Sequence, residues 1–127
     1  MKAAYCKYIL RFKQPAGTSR GIFTEKETYF LKLWEDRAPE VFGIGECALF
    51  RGLSMDDVPG YENKLSELCS NIAVDCPTDL SQYPSIAFGL ETAIYDLSNG
   101  GARKPFPSDF TEGKVCIPIN GLIWMGS

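Results

Sequence analysis

Val41-Phe42-Gly43-Ile44-Gly45-Glu46-Cys47-Ala48 is where the chain changes character. Before it the apolar residues recur with a period of two; after it they recur with a helical period. The stretch itself reads as a strand, with Gly43 and Gly45 placed to allow a bend and a close backbone approach. Upstream, a polar turn over Glu35-Asp36-Arg37-Ala38-Pro39-Glu40 separates it from a second strand over residues 27–34. Further upstream, Ala4, Cys6, Tyr8, Leu10 and Phe12 alternate with Tyr5, Lys7, Ile9, Arg11 and Lys13, which predicts a half-buried first strand over residues 2–13. Residues 14–26, with Pro15, Gly17, Thr18, Ser19 and Gly21, read as a loop too long for a tight hairpin. The links are short enough to expect an antiparallel meander.

Downstream, Ser54-Met55-Asp56-Asp57 has the spacing of a helix N-cap, but Pro59-Gly60 moves the expected helix start beyond it. Tyr61, Leu65, Leu68, Cys69 and Ile72 then share one helical face, giving a helix over residues 61–74. Pro77 ends that unit, and residues 78–83 read as one short helical turn. Pro84-Ser85 opens a second helix over residues 86–98, with Ile86, Leu90, Ala93, Ile94 and Leu97 as its stripe. Asn99-Gly100-Gly101 is a strong stop. Three strands followed by helices is the α+β class.

Composition narrows the functions. With 13 basic and 16 acidic residues the net charge is −3, which leaves no basic footprint for nucleic acid. No apolar run is long enough to span a bilayer, and the N-terminus meets charge too early for a signal peptide. Five cysteines without Cys-x-x-Cys spacing read as free thiols, mostly buried small hydrophobes, in a cytoplasmic protein. The absence of histidine removes Ser-His and Cys-His catalysis within the chain.

Gly43-Ile44-Gly45-Glu46, followed by a loop with Leu49, Phe50, Arg51, Gly52, Leu53 and Ser54, resembles the N-terminal capping domain of the enolase superfamily. Within it the likeness is greatest to the o-succinylbenzoate synthases. The Pro- and Ser/Thr-containing segment Pro15 to Gly21 and the helix around Ser85 to Ala93 fit the same pattern. So does Ile117-Pro118-Ile119-Asn120-Gly121-Leu122-Ile123, which is similar to a first barrel strand. Leu49 and Arg51 stand where many members carry prolines.

The resemblance implies a capping domain over residues 1–101, a linker over 102–113, and the first strand of a (β/α) barrel over 114–127, the rest of that barrel being absent. It implies a parent enzyme, a lyase of menaquinone biosynthesis acting on a small carboxylate substrate. Its Mg2+ and catalytic lysines would belong to the missing C-terminal barrel domain. No catalytic residue or metal ligand is assigned within this chain. Thr18, Ser19, Arg20 and Gly21, together with Leu49, Phe50, Arg51 and Leu53, are the implied substrate-capping loops, expected to be mobile. Dipeptide epimerases and muconate cycloisomerases share the capping domain and remain alternatives, as does a free-standing α+β interaction module.

Several residues have plainer readings. Arg20 and Arg51 pair with a substrate carboxylate or are simply solvated. Glu46, on the parity of Phe42 and Ile44, points inward as a hydrogen-bonded structural acid. Glu91 and Asp96 read as solvated, and Gly89-x-x-x-Ala93 as close packing on the sheet. The apolar tail from Val115 to Met125 needs backbone partners, and capture of it by a second copy is the expected outcome.

Overall fold

The computed structural model describes residues 1–18 and 21–121. Its elements are β1 (Lys2–Thr18), β2 (Gly21–Glu35), β3 (Ala38–Cys47), α1 (Tyr61–Ala73) and α2 (Pro84–Ser98). The strands form one antiparallel sheet in the order β1-β2-β3. The α+β reading holds, and the two helices start and stop within two residues of their expected bounds.

The expected loop over residues 14–26 is instead a long hairpin. Its ladder continues to the pair Thr18↔Gly21. The register shifts on the way: Arg11 faces Glu25 but Ala16 faces Phe23, so residues 12–15 bulge opposite Thr24. Such a bulge accommodates Pro15, which has no N–H to give the ladder, and it hides the period-two pattern from a reading of sequence alone. β3 pairs with β2 only as far as Tyr29↔Cys47. The hairpin beyond that point therefore stands clear of the third strand as a two-stranded arm.

Both helices lie on one side of the sheet. β2 sends Tyr29, Leu31 and Leu33 into the core, where Cys47, Leu49, Tyr61, Leu65, Leu68, Ile86 and Ala93 meet them. The register places Ala3 opposite Leu33 and Tyr5 opposite Leu31, so Ala3 and Tyr5 line the helix side. The expected apolar face of β1, carrying Ala4, Cys6 and Tyr8, is the open side. Phe42, Ile44 and Glu46 also lie there, opposite to the inward direction expected for Glu46. Apolar residues populate both faces, so alternation marked the strands without saying which face was buried.

α2 lies against β3 because three positions lack side chains. A Cβ on Gly43 would stand 2.0 Å from the carbonyl oxygen of Ala93, and one on Gly45 1.7 Å from that of Gly89. A Cβ on Gly89 would stand 2.5 Å from Cys47 Sγ. The buried stripe of α2 is Ile86, Gly89, Ala93 and Asp96. It is rotated from the expected one: Leu90 and Leu97 are only partly buried, and Ile94 is 42% exposed. A stripe chosen by side-chain size missed a contact made by small residues.

The polar segments are also tied. Asp56, buried, accepts hydrogen bonds from the Ser85 N–H (2.9 Å) and hydroxyl (2.6 Å), capping α2 rather than a local helix. Residues 78–83 hold a turn but no helix. Among the cysteines only Cys47 is buried; Cys6, Cys76 and Cys116 are exposed. Residues 115–121 carry no strand, and Val115, Ile117 and Ile119 are exposed. The barrel strand expected there has no partner strand among the described residues. Leu122, Ile123, Trp124 and Met125 lie outside them.

Leu68 is 2% exposed and sits among Leu31, Leu65 and Tyr61 in the core cluster. Leu68→Ala is expected to lower the unfolding free energy by about 2–3 kcal/mol through the cavity it leaves. Leu90→Ala should cost less, because Leu90 is only partly buried. Urea titration of the two variants side by side checks the order.

Candidate functional site

The hairpin arm and the loop after β3 come together at one end of the sheet. The loop is built by short-range bonds: the Phe50 N–H donates to Ser54 Oγ (2.8 Å), and the Ser54 N–H to the Phe50 carbonyl (2.9 Å). Gly52 adopts a left-handed φ of 75°, and its N–H donates to Asp57 Oδ2 (2.7 Å). Such ties fix the loop locally.

Side chains then join it to the arm. The Phe50 ring meets Phe23 edge-on at 5.0 Å, with Lys26 Nζ 5.9 Å from the Phe50 centroid. Arg51 bridges the two elements, one terminal nitrogen on Glu27 of β2 and the other on Asp57 of the loop at 2.7 Å. Glu27 also binds Lys7 Nζ at 2.6 Å and accepts from the Tyr29 hydroxyl at 2.9 Å. Partial burial alone would raise the Glu27 carboxyl; hydrogen bonds from Lys7, Arg51 and Tyr29 outweigh it and hold the group down at about 2. The loop carboxyl of Asp57 is lowered by the Gly52 amide and by Arg51.

The expected site residues that the structure describes fall into different surroundings. Leu49 is fully buried in the core, so its side chain is packing rather than loop tip. Phe50 is half-buried against the arm. Arg51 is committed to two carboxylates. Leu53, at 44% exposed, is the loop's open apolar residue, joined by Met55 at 78% and by Ile22 on the arm at 75%. Thr18 and Gly21 close the described ladder; Ser19 and Arg20 lie outside the described residues. Sequence reading did not single out Met55, Ile22 and Glu27 for this end of the sheet, because their placement depends on where the arm folds. Glu46 accepts a hydrogen bond from Thr28 Oγ1 at 2.8 Å on the open face, beside Lys26.

A linkage test follows from Glu27. Its folded value lies below the ordinary 4.5, so its contribution to stability is present above pH 4.5 and lost as pH falls toward 2. Arg51→Ala is expected to raise the Glu27 titration midpoint and flatten the stability loss in that window. Carboxyl NMR titration and acid unfolding curves of the two proteins measure both effects.

A second polar cluster lies at the far end of α2. Asp96, read from sequence as solvated, is 1% exposed. Its Oδ2 accepts from the Ile44 N–H (2.9 Å) and Arg103 Nη1 (2.7 Å); its Oδ1 accepts from the Arg103 N–H (2.7 Å). Arg103 Nη1 also donates to the carbonyls of Phe42 and Gly101, each at 2.8 Å, and its guanidinium lies 4.4 Å from the centre of the Phe42 ring. Ile44 and Phe42 present these groups on the outer edge of β3. The pair therefore covers that edge as a fourth strand would. The missed signal was the spacing Ile86, Gly89, Ala93, Asp96, a 3-4-3 pattern that carries Asp96 onto the buried stripe.

Among the described residues, no group of three or more His, Cys, Asp or Glu side chains converges to hold a metal ion. The acids of the two clusters are instead engaged by arginine, lysine and backbone amides. The described residues do not fit a magnesium site. None of the described helices is long and apolar enough to cross a membrane.

No protein-family profile matches the chain. It is 34% identical, over 99% of its length, to the o-succinylbenzoate synthase of Desulfotalea psychrophila. The crystal structure of MenC from Desulfotalea psychrophila LSv54 is similar over the whole chain, with a TM-score of 0.77 at 29% identity. The o-succinylbenzoate synthase of Thermosynechococcus elongatus BP-1, complexed with Mg in its active site, matches 76% of the chain and has 30% of its own length covered. Its TM-score is 0.55 at 19% identity, a likeness of fold. The chain spans 43% of the Desulfotalea synthase and 42% of the MenC structure. With its three antiparallel strands and following helices, the chain is thus similar over its whole length, in sequence and in fold, to a part of the Desulfotalea o-succinylbenzoate synthase.

Proposed function

We propose that this chain is the capping part of a larger enzyme that forms o-succinylbenzoate by dehydration, in menaquinone biosynthesis and in the cytoplasm. The observation that carries the reading is end-to-end relationship to under half of an o-succinylbenzoate synthase. A C-terminal barrel domain then supplies the magnesium ligands and catalytic groups, in keeping with the Mg complex of the Thermosynechococcus protein. The chain's own part is steric. Ile22 on the arm and Leu53 and Met55 on the loop offer apolar cover to a small carboxylate substrate and exclude water from it. The Arg51 bridge makes arm and loop one body rather than two independent lids.

The test uses the full-length protein. It should form o-succinylbenzoate from the dehydratase substrate with Mg2+ and lose that activity with chelator. Absence of o-succinylbenzoate formation, with activity instead on dipeptides or muconate, would assign the parent to another branch. Ile22→Asp is expected to lower kcat/KM roughly tenfold with unchanged thermal stability, since Ile22 touches little in the fold. Unchanged kcat/KM would remove the arm from the cover.

A further inference from the structure

The loop after β3 stands on two buried feet. Leu49, fully buried, is the first, and Asp56, at 1% exposed, is the second. Between them Leu53 and Met55 are open to solvent. Apolar burial accounts for Leu49. It does not account for Asp56, because a carboxylate taken out of water is costly unless its bonds replace those it gave up.

Those bonds come from the starts of both helices. Ser85, the second residue of α2, gives Asp56 Oδ2 its N–H and its hydroxyl proton. Tyr61, the first residue of α1, has its own hydroxyl 2.6 Å from Ser85 Oγ. Ser85 has a single hydroxyl proton and commits it to Asp56, so Tyr61 is the donor of the second bond. The donors thus run one way, from Tyr61 to Ser85 to Asp56, and end on the loop. Neither helix has a side-chain cap of its own: Gly60 and Tyr83 precede them without one. A carboxylate at the start of α2 also meets the positive end of the helix dipole.

From Asp56 the tie passes along the loop. The Val58 N–H donates to the Asp56 carbonyl at 2.9 Å, and the Asp57 N–H to the Ser54 carbonyl at 3.1 Å. With the Asp57 bonds to Gly52 and Arg51, residues 50–58 form one hydrogen-bonded piece. Met55 is the chain neighbour of Asp56, so burying one sets where the other stands.

We infer that Asp56 is a positioning residue for substrate binding: held by Ser85 and Tyr61, it fixes the loop as a preformed wall with Leu53 and Met55 over the substrate. The inference rests on the reading of this loop as substrate cover, and it names the group that sets the height of that cover. Leu53 and Met55 carry no group that exchanges a proton with a substrate. Displacing them therefore weakens binding and leaves the chemical step alone.

Steady-state kinetics and amide hydrogen exchange of the full-length protein with Mg2+ test it. Asp56→Ala is expected to raise KM roughly tenfold with kcat nearly unchanged, and to speed exchange over residues 50–58 by a similar factor. Asp56→Asn should restore both, since its side-chain oxygen accepts from the Ser85 N–H and its side-chain N–H donates to Ser85 Oγ. Should Asp56→Ala misfold, Ser85→Ala removes the hydroxyl link alone and should raise KM in the same direction. Leu68→Ala, destabilised on α1 outside the loop, should leave KM as it is. Unchanged KM or unchanged loop exchange in the alanine variants at positions 56 and 85 overturns the inference. So does an equal rise of KM in Leu68→Ala, which would make the effect one of stability. KM is read on whichever substrate the parent turns over, and exchange needs none. The o-succinylbenzoate reading can therefore fail without deciding this test.

Discussion

Gly45→Ala is expected to lower the unfolding free energy by at least about 4 kcal/mol, a large share of the 5–15 kcal/mol that holds a domain of this size together. The added methyl carbon would sit 1.7 Å from the Gly89 carbonyl oxygen, with the Ala93 nitrogen at 3.0 Å. Neither is the end of a flexible side chain. Relief therefore requires α2 to lift from β3, and that separation opens contacts of Cys47, Ile86 and Ala93 together. Overpacking of an ordinary core site costs about 1–3 kcal/mol because side chains can shift; here only backbone is available to move. Gly17→Ala is the matched control, since nothing lies within 4 Å of the position its Cβ would take. Guanidinium unfolding of the two variants should separate them clearly. Equal midpoints would mean that α2 does not approach β3 this closely.

Asp96→Ala should be nearly as damaging, at about 2–5 kcal/mol, from about 1–3 kcal/mol for each of two amides left without an acceptor. Arg103 keeps 45% of its side chain exposed and can turn to water. The loss falls instead on the Ile44 and Arg103 amides, which are left without their acceptor at the sheet edge. Arg103→Ala should cost less than Asp96→Ala for the same reason. It should still release the left-handed backbone at position 103, seen as faster amide hydrogen exchange at positions 103 and 104. A larger loss for Arg103→Ala than for Asp96→Ala would contradict this division of roles.

These two positions also show where sequence was informative. Gly43, Gly45, Gly89 and Ala93 could be read as close-packing residues because absence of a side chain has one common use on facing elements. The strands could be counted because alternation survives in any sheet. Which face was buried could not be read, since Tyr8, Phe30, Phe42 and Ile44 make the open face as apolar as the covered one. The long arm was hidden by the bulge at residues 12–15. At the candidate site, Leu49, Phe50, Arg51 and Leu53 were rightly grouped as one loop, but their division into core, bridge and open surface depends on Glu27 and Phe23, more than twenty residues earlier. Asp96 was misread because an acid on a helix is usually solvated, and its amide partners belong to a strand edge that no local pattern reveals.

Cys47 gives the molecule a built-in chemical clock. Its sulfur lies beneath Gly89, fully buried, and burial pushes its thiol up to about 12. Cys6, Cys76 and Cys116 stand in solvent throughout. A thiol reagent should therefore modify those three in a fast phase, the half-buried Cys69 more slowly, and Cys47 only when α2 swings away from the strand. The rate of labelling at Cys47, read peptide by peptide against the exposed thiols, measures how often that seam opens under native conditions, without any engineered probe. Gly45→Ala should make the clock run fast.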